Sequence, residues 1–202
     1  MLKTSIRSKE QLDVRRKNFL DIVELLNKLE VDFFLTGGVV LGAIREKDLL
    51  KWDWDVDIGI VSDEFQSKFQ LILDELSKEK FNIISHNKTF HHQKITFFRH
   101  DAAEITSFTL FGWSYNRFLN SYIRNNLRIP AKYIRDKKKI AFLGKEMFAP
   151  YPPEDYLAHT YGDWKTPINS SNKQLYLSKS TYKKNSFNIA LNLDKIFRKL
   201  FK

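Results

Sequence analysis

The apolar positions Leu12, Phe19, Ile22, Val23, Leu26 and Leu29 recur mostly at steps of three, four and seven. That spacing predicts a long amphipathic helix with a single core-facing stripe. Ser8-Lys9-Glu10-Gln11, just ahead of it, has the form of a capping box. The pattern then changes. Val31 to Thr36 is a short apolar run suited to a buried strand, and Gly37-Gly38 interrupts it. Val39 to Ile44 gives one apolar helical turn, and Val56 to Val61 a second strand. Ser62-Asp63 is placed to cap a helix over Glu64 to Lys78, with Phe65, Phe69, Ile72, Leu73 and Leu76 on its inner face.

Further along, Phe81–Ser85, Lys94–Phe98 and Ala103–Leu110 read as strands. Trp113 to Asn126 mixes aromatic and polar residues and is expected to form a helix or a lid. Ile140 to Phe148 reads as a hairpin turning at Gly144-Lys145. The segment Pro150-Tyr151-Pro152-Pro153-Glu154-Asp155-Tyr156 opens a helix running to His159 or Tyr161. Asn169 to Asn185 is polar and loop-like, and Phe187 to Phe201 is a basic amphipathic helix. Runs of strands and helices without strict alternation predict an α+β fold, a mixed sheet flanked by helices. With 202 residues, the expectation is one domain over 1–202, with a core of about 12–112 and a C-terminal extension of about 113–202.

Composition narrows the class. The hydrophobic fraction is 43%, with 17 Phe and 8 Tyr, enough for a sizeable core. The absence of Cys excludes a disulfide scaffold, a thiolate metal site and a cysteine nucleophile. No apolar run approaches the ~20 residues of a membrane span. A soluble, cytoplasmic protein is the expectation. The net charge of +10 favours anionic partners such as nucleotides or phosphoglycans. The positive charge gathers late, in Lys132 to Lys139, Lys183-Lys184 and Arg198 to Lys202.

The chemistry concentrates in Thr36 to Ile60. Asp53, Asp55 and Asp57 recur at period two, so on a strand they share one face. Neighbouring carboxylates repel unless a cation lies between them. Mg²⁺ or Mn²⁺ fits, because it takes oxygen ligands from one or two carboxylates together with waters and substrate phosphates. Gly37 and Gly38, without Cβ atoms, let the backbone approach a phosphate closely. A phosphate turn followed by a metal-binding strand points to phosphoryl-type transfer, with Asp55 and Asp57 as the metal ligands. A third carboxylate is expected to complete the site. Glu104 is the first candidate for that catalytic role and Asp101 the next. Arg45 is a candidate phosphate clamp against the simpler role of pairing with Glu46. Trp52 and Trp54 suit either base stacking or core packing. His91-His92, adjacent on a strand, point to opposite faces and do not share one ion. No P-loop is present.

The run GGVVLGAIREKDLLKWDWDVDIGI resembles the signature of the LicD/fukutin family. Phe148 to Leu157, with Tyr161-Gly162-Asp163-Trp164, resembles that family's C-terminal motif, and together the likeness covers roughly residues 12 to 167. It implies a nucleotidyltransferase-like fold. It also implies transfer of a phosphorylated alcohol, such as phosphocholine or a polyol phosphate, from a CDP-activated donor to a hydroxyl of a cell-surface glycan or glycolipid precursor. Carried over by position, Asp55 and Asp57 become the metal aspartates, Gly37 and Gly38 the phosphate turn, and Arg45 the basic residue beside it. Asp53 joins the substrate-binding set. Four positions depart from the pattern: Trp54 replaces an acid, Lys51 a proline, and Glu46 and Asp48 a basic residue and a glycine. A glycolipid acceptor would bring the C-terminal basic helix to the inner face of the membrane, against the simpler role of packing on the domain. Nucleic acid is not expected as a partner. Three other readings share these residues: a DxD glycosyltransferase using a nucleotide sugar, a nucleotidyltransferase using an NTP, and an anion-binding module without catalysis.

Overall fold

A computed structural model describes residues 6–53, 55–89, 92–101, 104–168 and 177–178. Helix α1 spans Lys9–Lys28 and starts on the expected box: Ser8 accepts from the Gln11 backbone N–H, and the Gln11 side chain accepts from the Ser8 N–H. Its stripe of Leu12, Phe19, Ile22, Val23, Leu25 and Leu26 is buried. Strand β1 (Phe33–Leu35) leads into α2 (Gly37–Leu41), which continues as a π-helical turn over Gly42–Glu46. Strand β2 (Asp55–Val61) carries two of the acids, and α3 (Ser62–Lys78) follows it directly.

Strands β3 (Asn82–Thr89), β4 (His92–Asp101) and β5 (Glu104–Asn116) form a meander. The sheet order is β1-β2-β5-β4-β3. β2 runs parallel to β5 and every other pairing is antiparallel, which makes the sheet mixed. Strands β6 (Ser121–Arg124) and β7 (Leu127–Pro130) extend it from the end of β5. A short helix α4 (Ala131–Arg135), the hairpin β8 (Lys138–Phe142) and β9 (Lys145–Ala149), and α5 (Pro153–Tyr161) complete the described chain.

The register divides the chemistry between two faces. Val56, Ile58 and Ile60 are fully buried, and they pair with Phe108, Leu110 and Gly112. This face receives α1, whose Asn18 reaches Thr106. Lys28 of α1 pairs with Glu75 of α3, so the two helices lie side by side. Phe97 and Phe108 stack at 5.3 Å, with Phe81 edge-on to both. The opposite face carries Asp55, Asp57 and Gly59. There Phe34 covers Gly59 so closely that a Cβ would fall 2.5 Å from its ring.

Several expectations change. Trp113 to Asn126 is neither helix nor lid: β5 runs on to Asn116, and β6 follows after a turn. Alternating burial along β5 supplies the reason, since inward Phe108, Leu110 and Gly112 continue to Ser114 and Asn116. The boundary drawn near residue 112 therefore falls inside a strand. Ser62 does not cap α3. Its hydroxyl lies 2.8 Å from that of Ser114, pinning the helix start to β5. The hairpin turns at Leu143-Gly144, both with positive φ, one residue earlier than expected. The Phe187–Phe201 helix, Trp54, His91 and nearly all of the Asn169–Asn185 loop lie outside the described residues. Among the described residues no helix is long and apolar enough to cross a membrane.

His159 fastens α5 to β7. Its Nε2 lies 3.3 Å from the Arg128 carbonyl oxygen, and burial lowers its pKa below the usual 6.5. The unfolded chain therefore takes up this proton first as pH falls through about 6.5, and the folded state loses stability in that window. The melting temperature is expected to fall between about pH 7.5 and pH 5.5. His159→Gln, followed by circular dichroism, should flatten that decline.

Candidate active site

The acids are set by local backbone first. Asp55 and Asp57 alternate with buried Val56 and Ile58, so the pull of the core on the valine and isoleucine turns both carboxylates to the other face. Asp55 is exposed and Asp57 half-buried. The glycine pair lies against them. Gly37 has φ +57, a left-handed conformation that a glycine adopts at little cost. A Cβ at Gly37 would sit 3.8 Å from Asp57 Oδ2, and one at Gly38 only 2.1 Å from Asp53 Oδ2. The structure thus brings Gly37, Gly38, Asp53 and Asp57 to one place, with Asp55 two residues along the same face.

Helix α5 braces this turn. The Tyr156 hydroxyl lies 3.2 Å from both the Gly37 N–H, which donates to it, and the Thr36 hydroxyl. Tyr161 reaches the same spot, 3.8 Å from where a Gly37 Cβ would stand. Arg45, in the π-helical turn, donates to the Trp164 carbonyl at 2.8 Å and pairs with Glu46 at 2.8 Å. Its remaining Nη2 is buried with no hydrogen-bond partner among the described residues. Its guanidinium also lies 5.7 Å from the Trp52 ring centroid. Glu46, one of the departures, is therefore a partner that aims Arg45. Asp48, another, binds Arg16 of α1 through both oxygens. That contact ties the loop to the helix and holds the Asp48 carboxyl below its usual range.

Glu104 is not with the aspartates. Asp55 pairs with Ser107 and Asp57 with Thr109, so odd-numbered β5 residues share their face and Glu104 points the other way. There it is buried against Arg7 and Arg15. Asp101, paired opposite Glu104, accepts from Asn18 of α1 and is also removed from the site. The partners of Glu104 are these two arginines, on the face away from the aspartates.

Those arginines hold the acid-bearing segment from behind. The Arg7 backbone N–H donates to Lys51 O at 3.0 Å, and its guanidinium to Asp53 O. Arg15, 1% exposed, donates to Asp55 O at 2.9 Å. Burial first, then the neighbouring Arg7, lowers the Arg15 pKa to about 10, still charged at neutral pH. Glu104 offsets one of the two charges, and the nearby Asp53 and Asp55 favour the charged form of Arg15 as well.

A second missed residue is Arg124 of β6. Its Nη1 lies 3.5 Å from Asp57 Oδ2, and its guanidinium packs 3.6 Å from the Phe111 ring centroid and 5.1 Å from that of Trp113. Reading its stretch as a lid hid it. Strand alternation across Phe111 and Trp113 was the available signal. Among the described residues no group of three or more His, Asp or Glu side chains converges as a cation cage. The chain would supply the two carboxylates of Asp55 and Asp57 and leave other positions to water and phosphate, a set that fits Mg²⁺ or Mn²⁺.

The model of the LicD/FKTN/FKRP nucleotidyltransferase domain matches residues 30–152, more than half of the chain. The match takes in the glycine pair, all three aspartates, the sheet and the hairpin. An uncharacterized protein of Rickettsia typhi is 26% identical over 149 residues, covering 71% of this chain and 44% of its own. The chain thus spans less than half the length of that relative. The ribitol 5-phosphate transferase FKRP of Homo sapiens is 40% identical over 50 residues, covering 25% and 10%. The lipopolysaccharide cholinephosphotransferase LicD of Haemophilus influenzae is 33% identical over 67 residues, covering 33% and 25%.

Gly38→Ala tests the packing of the turn on Asp53. The new methyl displaces the carboxylate, so nucleotide affinity, measured by calorimetry, is expected to fall about tenfold or more. The far-ultraviolet circular dichroism should stay unchanged.

Proposed function

The chain belongs to the LicD/FKTN/FKRP family, and we propose that it transfers a phosphorylated alcohol from a CDP-activated donor to a glycan hydroxyl, releasing CMP. The observation that carries this reading is the placement of Asp55 and Asp57 on one strand face, with Asp57 Oδ2 against the Gly37 turn. The names of the two relatives, one a ribitol 5-phosphate transferase and one a cholinephosphotransferase, support a phosphoalcohol as the group moved.

In this reading Asp55 and Asp57 hold Mg²⁺ or Mn²⁺. When bound, the ion neutralises charge on the donor's diphosphate. The buried, unpartnered Nη2 of Arg45 donates to the phosphate that leaves with CMP, and Glu46 and the Trp164 carbonyl keep the guanidinium aimed. Gly37 and Gly38 allow that phosphate to approach the backbone. Arg124, beside Asp57, stabilises charge on the transferred phosphoryl group.

The acceptor hydroxyl oxygen attacks the β-phosphorus and forms the new P–O bond. The bond from that phosphorus to the bridging oxygen breaks, and its electron pair departs with CMP. The hydroxyl proton goes to water at the open side of exposed Asp55. Positioning of the two reactants and stabilisation of charge on the phosphoryl oxygens carry most of the rate. Asp53, beside Gly38, is the third carboxylate near the pair and lines the substrate-binding turn; Glu104, on the other face, is given no proton-transfer role. The acceptor is a cell-surface glycan or glycolipid precursor.

Purified protein with Mn²⁺ or Mg²⁺, a panel of CDP-alcohols and candidate glycans should release CMP from at least one donor. Release should stop with EDTA and in Asp57→Asn. Turnover of CTP with pyrophosphate release, or of a UDP-sugar, in place of every CDP-alcohol would overturn the proposal.

A further inference from the structure

Beyond Arg124, the aspartate face continues into an open cavity of about 390 Å³, within the ~300–1,000 Å³ usual for small-molecule sites. Register places it. Asp57 pairs with Thr109, Thr109 with Thr96, and Thr96 with Ser85. One step along, Gly59, Phe111, Lys94 and Asn87 form the next row of the same face. Strands stand ~4.8 Å apart, so the cavity begins about 10 Å from Asp57 and runs toward the sheet edge. Arg124 joins the two places, because it touches Asp57 and also lines the cavity.

The wall has a definite chemistry. Lys94 and Arg124 supply two permanent cations. Lys94 is half-buried and forms no ion pair among the described residues. Ser85, Asn87 and Asn125 supply hydroxyl and amide groups that both donate and accept. Phe111 is the aromatic ring on this face of the wall, and the Arg124 guanidinium already covers it at 3.6 Å; His86, Gln93 and Gly112, at the opposite strand parity, complete the lining, and the His86 ring packs against Phe69. A quaternary ammonium needs open aromatic faces or a carboxylate. This wall offers it two like charges and an occupied ring.

We propose that this cavity is the subsite for the hydroxyl-rich end of a substrate, a neutral or anionic polyol or sugar, and that it rejects a quaternary ammonium headgroup. The inference rests on the phosphotransfer reading above and narrows it. Substrate hydroxyls accept from the Asn87 amide N–H₂, whose oxygen already takes the Thr89 N–H, and Lys94 adds a charge-assisted bond to an oxygen. Such a group belongs either to the alcohol of the donor or to the sugar of the acceptor.

The test begins with binding, which needs no turnover and so stands apart from the CMP-release assay. With Mg²⁺ present, calorimetry on the full chain should show ribitol 5-phosphate and glycerol 3-phosphate binding about tenfold or more tighter than phosphocholine. Lys94→Glu should remove most of that margin. Asn87→Asp, an isosteric change at an exposed strand position, should narrow it in the same direction and guards against misfolding of the first variant. Where turnover is found, a rise in KM for the CDP-polyol alone assigns the cavity to the donor. A rise for the glycan alone assigns it to the acceptor. Phosphocholine binding the wild type as tightly as ribitol 5-phosphate would overturn the proposal. Polyol phosphate affinity unchanged in both folded variants would overturn it as well.

Discussion

Everything at the proposed catalytic centre depends on one buried charge cluster on the far side of the sheet. Arg7 and Arg15 reach under the strand and hold the carbonyls of Asp53 and Asp55, while Glu104 pairs with both and offsets one of their two charges. A guanidinium suits this task because its planar fork binds carbonyl and carboxylate together and keeps its proton when buried. Burying three charges is costly, and their mutual attraction and hydrogen bonds must offset that cost. What the arrangement yields is register: the backbone of the acid-bearing segment is fixed before any ligand arrives. Preorganisation of this kind matters most where charged groups must face one another at a site.

The same logic explains the other contacts. Tyr156 fixes the Gly37 N–H, and Arg45 is fixed by Glu46 and the Trp164 carbonyl. Motifs separated by a hundred residues in the chain, the glycine turn and the α5 segment, are thus one mechanical unit. Two departures from the family pattern fit into this unit without strain. Glu46 aims Arg45, and Asp48 locks the loop to Arg16. Both are responses to local charge, and neither needs a change in the chemistry of the acids.

Local patterns were legible in the sequence. The capping box at Ser8, the stripe of α1, the aspartate alternation in β2 and the glycine turn before it all depend on short-range rules, and all recur in the fold. The family likeness was legible for the same reason, since it rests on contiguous residues. Facing across the sheet was not. Glu104 stood as the candidate third acid, and only the register of Ser107 and Thr109 with the aspartates shows that it takes the other face. Arg124 and Lys94 reach the aspartate face through strand pairings whose order cannot be read from one sequence. The stretch from Trp113 looked irregular because β5 is covered on both faces there, with Trp113 buried on one side and Ser114 and Asn116 on the other, which blurs its period of two.

The most direct test compares Glu104→Gln with Asp57→Asn, reading urea-unfolding stability and Mn²⁺ affinity by electron paramagnetic resonance in the presence of CDP. The account predicts that Glu104→Gln loses about 3–5 kcal/mol of stability, the cost of breaking a buried ion pair, yet its folded fraction still binds Mn²⁺. Asp57→Asn should keep its stability and lose the metal. A Glu104→Gln protein of wild-type stability that no longer binds Mn²⁺ would contradict the account and return Glu104 to the metal site.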